Sequence, residues 1–168
     1  ENNCNIMSWP LTMPFSEAEK YRGQLEDSIT RLNPGYSGKF AMMRHAVIYE
    51  TESDRQAALN AVRQVLARFG NLMTQAGAVV NGYPDMVPLE TLEGNARVEP
   101  AMLEENLMFG SPEVVVEKLK QYQSIGVDAF IYYASLGLDM ERQKRSLRLF
   151  IDRVLPAFTE VKEFAHVD

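Results

Sequence analysis

The sequence predicts an α/β fold built on a parallel sheet, and three observations carry that prediction. Residues from Phe109 to Phe158 spell a helix–strand–helix unit with punctuation at both ends. Two runs, Phe40–Glu50 and Val127–Ala134, are apolar, β-branched or aromatic with few charges, which is how strands covered on both faces read. Long amphipathic stripes separate these runs, and strands joined by helical crossovers require parallel pairing.

In chain order, Glu1-Asn2-Asn3-Cys4 has no entry turn and runs straight into a short apolar strand, Asn5–Trp9, so the start reads as an interruption of a longer helix–strand connection. Pro10–Phe15 is a rigid loop with two prolines, and Ser16 with Glu19 forms a capping-box pattern for a helix over Glu17–Leu32. The inward face of that helix is expected to carry Ala18, Tyr21, Leu25, Ile29 and Leu32, with Asn33-Pro34-Gly35 as its stop. Phe40–Glu50 is the second strand, with Arg44 the one side chain sure to be charged before its end. Thr51, Ser53 and Asp54 cap the next and longest helix, about Glu52–Gln75, whose stripe is Ala58, Ala61, Val62, Val65, Leu66, Phe69, Leu72 and Met73.

Between residues 77 and 108 the pattern breaks into closely spaced turn signals: Asn81-Gly82-Tyr83-Pro84, Val87-Pro88, Glu93-Gly94-Asn95 and Glu99-Pro100. A connection of that length inside one domain marks a lid or binding loop, with a short helix around Pro100–Leu107. Ser111, Pro112 and Glu113 then form a helix start, since the serine can accept an orphan amide and the proline has none to waste. Val115, Val116, Leu119 and Tyr122 make its buried face, Lys118 falls on the wet side, and Gly126 ends it. After the strand, residues 135–138 turn the chain into a final helix over Asp139–Phe158 that buries Leu147, Leu149, Phe150, Ile151, Val154 and Leu155.

Composition narrows the function classes. At 168 residues the chain suits one domain with a substantial core. Net charge −6 and a pI near 5.0 leave no basic stripe for a nucleic-acid backbone. No run approaches bilayer-spanning length and no leader opens the chain, which points to a cytoplasmic protein with no membrane partner. A single cysteine, Cys4, fits a reducing compartment. Zinc, calcium and phosphate-loop signatures are absent, so no metal is expected.

As one string, FGSPEVVVEKLKQYQSIGVDAFIYYASLGLDMERQKRSLRLFIDRVLPAF resembles the C-terminal end of the bacterial luciferase-like, flavin-dependent monooxygenases. The elements that carry the resemblance are Gly-Ser-Pro-Glu, an amphipathic helix, Gly-Val-Asp, a buried strand, a Gly turn, Ser-Leu-Arg-Leu-Phe and a Val-Leu-Pro ending. The resemblance implies that the strands are the last three of a (β/α)8 TIM barrel, a fold of about 250 residues when closed, with the segment holding the flavin phosphate upstream. It further implies an oxidoreductase in which reduced FMN, supplied by a flavin reductase or NAD(P)H, activates dioxygen to attack a small organic substrate. A homodimer, or pairing with the remaining barrel half, is expected, and the chain by itself is expected to be incomplete and inactive. Two alternatives stand beside this: a cofactor-free interaction module that completes a barrel with a partner chain, and a deazaflavin-dependent reductase of the same fold.

The candidate site residues follow from position. Trp9, the one tryptophan, ends the first strand, where the family places an aromatic residue beside the isoalloxazine ring; packing beneath the Pro10–Phe15 loop would also explain it. Met7 shares its side of the strand, and Ser8 points the other way but is retained as a cofactor candidate. Tyr49, Glu50 and Thr51 end the second strand, and Tyr132, Tyr133 and Ser135 end the third, so some of them line a barrel mouth. Tyr49 is the candidate substrate contact among these, and Tyr83 in the lid is a second. Of the two histidines, His166 sits in a polar tail, and His45 reads as a satisfied core or interface residue. The catalytic groups are not identifiable from this stretch.

Overall fold

One strand, Phe40–Ile48, has no exposed residue along its length and is the element against which the rest is placed. The computed structural model describes residues 4–74, 77–85, 87–134 and 136–158. In chain order the elements are β1 (Ile6–Ser8), α1 (Phe15–Leu32), β2 (Phe40–Ile48), α2 (Glu52–Thr74), β3 (Val79–Val80), β4 (Tyr83–Pro84), α3 (Pro100–Asn106), β5 (Met108–Gly110), α4 (Pro112–Ser124), β6 (Ala129–Tyr133) and α5 (Met140–Leu149). β1 runs parallel to the start of β2, with Ile6 opposite Phe40 and Ser8 opposite Met42. β6 runs parallel to it from Ala41–Ala129 to His45–Tyr133, so β1 and β6 flank it on opposite sides. The short β5 pairs with Ala46–Ile48.

The two-residue period of β2 splits the core in two. Phe40, Met42, Ala46 and Ile48 pack with Ala18 and Leu25 of α1 and with Val115, Leu119 and Tyr122 of α4. Val47, together with Tyr49 just beyond the strand, packs with Ala58, Leu59 and Val62 of α2 and with Leu103 of α3. Helices therefore cover both faces of the sheet at β2, as a parallel strand requires.

Several helix ends match their sequence signals. Ser111 accepts the Val114 amide at the start of α4 with Pro112 in the first turn, and Thr51 Oγ1 accepts the Asp54 amide at 3.1 Å. Gly126 takes a φ of +79°, the left-handed stop. The Ser16/Glu19 box does not form. α1 starts two residues earlier at Phe15 with Pro14 as its N-cap, because the extended Pro14 already sets the entry direction.

Three expected burial patterns are corrected. Leu32, Leu72 and Met73 lie at helix ends beyond the sheet and are exposed, and Gln75 lies outside the described residues. β6 is covered unevenly: Phe130 and Tyr132 pack against Phe150 on one face, while on the other Tyr133 meets Trp9 and His45 but Ala129 and Ile131 are exposed. The final helix is not continuous. After α5 the chain widens into a π turn, Phe150–Val154, and tightens into a 3-10 turn, Leu155–Ala157. Pro156 explains the change, because its ring would clash with the Asp152 carbonyl and it has no amide to offer it.

Leu149, Phe150 and Val154 of this last segment pack toward the core as their spacing predicts, and a polar contact joins them on the buried side. Ser146 Oγ accepts the Ile48 amide at 2.7 Å and lies 2.6 Å from the Tyr132 hydroxyl, which turns Leu147, Ile151 and Leu155 outward. Ile48 has no strand partner on that side, so Ser146 satisfies an amide that would otherwise be buried alone. Ser146→Ala is expected to cost about 1–3 kcal/mol in urea unfolding, because it strands that amide and the tyrosine hydroxyl together.

Candidate functional site

The carboxyl ends of β1, β2 and β6 bring three rings together. Trp9 follows β1 directly, His45 lies in the second half of β2, and Tyr133 ends β6 in register with His45. His45 and Tyr133 stack with centroids 4.7 Å apart. Trp9 meets His45 edge-on at 5.7 Å and Tyr133 at 5.4 Å, and Phe69 from α2 closes the group at 6.0 Å from Trp9. Such edge-to-face geometry suits ring quadrupoles and holds each ring in one orientation.

Two polar atoms in this apolar group lack partners: Trp9 Nε1 and His45 Nδ1 are both buried without a hydrogen bond. Buried polar atoms are nearly always paired, so each of these two nitrogens calls for a partner atom that the surrounding rings do not supply. Burial, with no carboxylate opposing it, pushes the His45 pKa down to about 4. The imidazole is therefore neutral at physiological pH, and its Nδ1 can take part in a hydrogen bond without bringing charge among the rings. The expectation of a satisfied core histidine is corrected: His45 is in the core, but Nδ1 is not satisfied.

The loop after Trp9 is held by side chains from two distant elements. Arg44 Nη1 donates to the carbonyls of Leu11 (2.9 Å) and Met13 (2.8 Å), and Asn106 Nδ2 donates to Thr12 O at 3.0 Å. Arg44 is fully buried with no carboxylate partner. Its Nε donates to the Tyr122 hydroxyl at 3.0 Å, and its guanidinium carbon lies 5.8 Å from the centre of that ring. Desolvation lowers its pKa, and the tyrosine partly offsets that. Three successive loop carbonyls are thus fixed, and Leu11 is held at a φ of +51° that an unrestrained leucine would avoid.

The other predicted residues lie apart from the rings. Met7 is exposed and registers with Ala41 on the face shared with His45, while Ser8 registers with Met42 and faces the α1 side. Ser8 lines a shallow groove of about 340 Å³ with Met7, Tyr21 and Gln24. Tyr49 is buried, and its hydroxyl donates to Glu104 Oε1 at 2.6 Å. Arg55 grips the same carboxylate through Nε (2.6 Å) and Nη2 (2.7 Å). Burial, and then Glu104, raises the Tyr49 pKa, while Arg55 chiefly holds the Glu104 carboxyl below its usual range. Tyr83 is 77% exposed on the β3–β4 hairpin. His166 and Ser135 lie outside the described residues.

Sequence reasoning missed Lys118, which was assigned to a wet helix face. Its Nζ donates to the carbonyls of Leu107 (2.7 Å), Phe109 (3.1 Å) and Glu104, and so closes the end of α3; burial lowers its pKa to about 8. A second groove, of about 300 Å³, opens beyond the end of β2 and is lined by Arg142, Arg145 and Arg153. Asp54 accepts from Arg142 and Arg145, and Glu113 and Glu50 from Arg153, so the groove's charge is largely balanced. Among the described residues, no group of three or more His, Cys, Asp or Glu side chains is gathered to hold a metal ion, and no helix is long and apolar enough to cross a membrane.

No protein-family model matches the chain. Among curated proteins it is similar to the oxygenase component of flavin-dependent trigonelline monooxygenase from Acinetobacter baylyi, with 26% identity over 162 residues, 96% of this chain and 45% of the relative. Among solved structures it is similar to an F420-dependent secondary alcohol dehydrogenase in complex with an F420-acetone adduct, with a TM-score of 0.57, 17% identity, and coverage of 93% of this chain and 43% of the other. The latter likeness concerns fold: a parallel sheet with five α-helices here corresponds to part of a luciferase-like TIM barrel. The chain spans less than half the length of each of these proteins.

His45 also makes stability depend on pH. Its folded pKa lies below the ordinary value of 6.5, so the unfolded chain binds the extra proton, and stability present above pH 6.5 is lost as pH falls toward 4. Between pH 7 and 5 this residue is expected to account for about 2 kcal/mol of lost stability. Urea titrations of the wild type and His45→Phe at both pH values check it, and the variant should lack that part of the slope.

Proposed function

We propose, on the premise that this chain resembles the luciferase-like flavin-dependent monooxygenases along nearly its whole length, that it supplies one wall of a flavin and substrate site at the carboxyl ends of β1, β2 and β6. The carrying observation is the Trp9–His45–Tyr133 group with its two unpaired buried nitrogens. A planar heteroaromatic ring with polar edges, such as isoalloxazine, fits a surface of that kind: apolar rings with a few placed polar atoms. Parallel α/β folds also gather their sites at this end of the sheet.

Reduced FMN, when bound, supplies the electrons with which dioxygen is activated toward an organic substrate. This chain's residues do the positioning. Trp9 presents a ring face and an N–H donor, held in place by the loop that Arg44 and Asn106 clasp. His45 offers a neutral Nδ1 that can hold a hydrogen bond or a proton at the ligand's edge. Met7 adds an apolar contact on the same face of β1, and Ser8 borders the groove beside it. Tyr49, tied to Glu104, forms part of the wall behind the substrate, and Tyr83 adds a ring to the outer rim of a lid formed by residues 77–108.

The whole protein would then be a monooxygenase acting on a small organic molecule, as trigonelline is for the curated relative. A flavin reductase would be its partner, since that relative is an oxygenase component, and the cytoplasm its location. The test uses the sole tryptophan as reporter. FMN titrated to millimolar concentration should quench Trp9 emission and gain visible circular dichroism, and Trp9→Leu should weaken FMN binding about tenfold, the size expected for one aromatic contact. F420 binding in place of FMN would shift the assignment to a deazaflavin enzyme. If neither cofactor perturbed Trp9, the site would not be a flavin site at all.

A further inference from the structure

Of the rings gathered around Trp9, one gives up an electron readily and the others do not. His45, Phe69 and Tyr133 lie 5.7, 6.0 and 5.4 Å from the indole, centroid to centroid. A benzene ring and a neutral imidazole hold their electrons tightly, whereas a phenol releases one easily if its proton can leave as well. Tyr133 is therefore the ring from which an oxidised indole can draw an electron. It is also the nearest of the three, meeting Trp9 edge to face with the planes at 83°, a contact distance for such a pair.

The two members of this pair differ in where a proton can go. Trp9 Nε1 is buried and has no hydrogen-bond partner. An indole that loses an electron there has no base to take its N–H proton, so it stays a cation, and an uncompensated charge among apolar rings is costly. That cost makes the oxidised indole a strong oxidant. Tyr133 is only partly buried, and its hydroxyl makes no hydrogen bond to a described residue and is not among the buried unpaired polar atoms, so it meets water. Losing an electron and a proton together, it becomes a neutral radical and leaves no buried charge. Transfer from Tyr133 to Trp9 is thus downhill. The path ends at Tyr133, because Tyr132 points to the opposite face of β6, where its hydroxyl lies 2.6 Å from Ser146 Oγ.

We infer that Trp9 and Tyr133 form a one-electron path that carries oxidising equivalents from the ring group at the strand ends out to solvent. That such equivalents arise there rests on the flavin and dioxygen reading above, since incomplete reduction of dioxygen releases oxygen radicals. Each step balances. A hydroxyl radical takes one electron from the indole and becomes hydroxide, Tyr133 returns one electron to the indole, and the phenolic proton passes to water. A soluble thiol then gives the tyrosyl radical a hydrogen atom and is the species finally oxidised. The damage is moved from the indole, which faces the ligand, to a side chain that solvent can repair.

Pulse radiolysis with azide radicals, which take one electron from an indole, tests the path with no flavin present; the FMN titration above judges the flavin reading separately. Trp9 is the sole tryptophan and is only partly buried, so a small radical reaches it. In the wild type the indolyl absorbance should decay as the tyrosyl absorbance rises, at a rate that does not change with protein concentration. Tyr133→Phe keeps the ring and removes a hydroxyl without a protein partner, and it should abolish that coupled rise and leave the indolyl radical long-lived. Tyr36→Phe, which precedes β2 at its amino end, should behave as the wild type. Absence of the tyrosyl rise in the wild type, an unchanged rise in Tyr133→Phe, or its loss in Tyr36→Phe would each overturn the proposal.

Discussion

Two neighbouring polar side chains in the middle of β2, Arg44 and His45, are 0% and 1% exposed, and the cost of burying them organises what surrounds them. Strand geometry sends them to opposite faces. On one face the guanidinium must find oxygen atoms, and it finds the Tyr122 hydroxyl and two loop carbonyls. On the other the imidazole loses its charge and is surrounded by rings. Arg44 Nε and Nη1 are paired with these oxygens while Nη2 stays unpaired, and the β1–α1 loop is shaped around the two bonds that Nη1 makes.

That constraint couples the core to the site. The loop that Arg44 Nη1 binds begins directly after Trp9, so the packing of α4 through Tyr122 and of α3 through Asn106 bears on where the indole stands. Lys118 contributes from the same α4 by closing the end of α3, the helix that carries Asn106 and Glu104. Glu104 in turn fixes Tyr49 and Arg55 at the end of β2. Polar contacts join the apolar packing in setting the positions of the rims, where Tyr49 and Leu136 also belong to a buried apolar cluster.

Much of the fold was legible along the chain. The periodicity of Phe40–Ile48, the Ser111-Pro112 start and the Gly126 stop are local signals, and each formed as its chemistry demands. Burial was legible only where a partner lay opposite. Leu147, Ile151 and Leu155 follow a core-facing spacing, yet Ser146 faces the sheet because an unpaired Ile48 amide waits there. Lys118 had the look of a solvated side chain, and nothing in its neighbours in sequence reveals that three carbonyls of another segment converge on it. Trp9 could be placed from its position at a strand end. His45 could not be joined to it, since their meeting depends on strand register and not on spacing.

The sequence by itself determined the three longer strand runs, the main helices, their order, the parallel sheet and the likeness to a luciferase-like barrel, because these follow from periodicity, caps and turn residues acting over a few positions. The short β5, which makes a fourth strand of the sheet, and the β3–β4 hairpin were not read from the sequence. Tertiary structure alone decided that Arg44 is a loop clasp, that His45 is a neutral member of an aromatic group with a free nitrogen, and that Asn71 anchors a projecting hairpin. A polar side chain's role depends on which oxygen and nitrogen atoms end up beside it. Those atoms come from segments tens of residues away, brought together only when the strands pair.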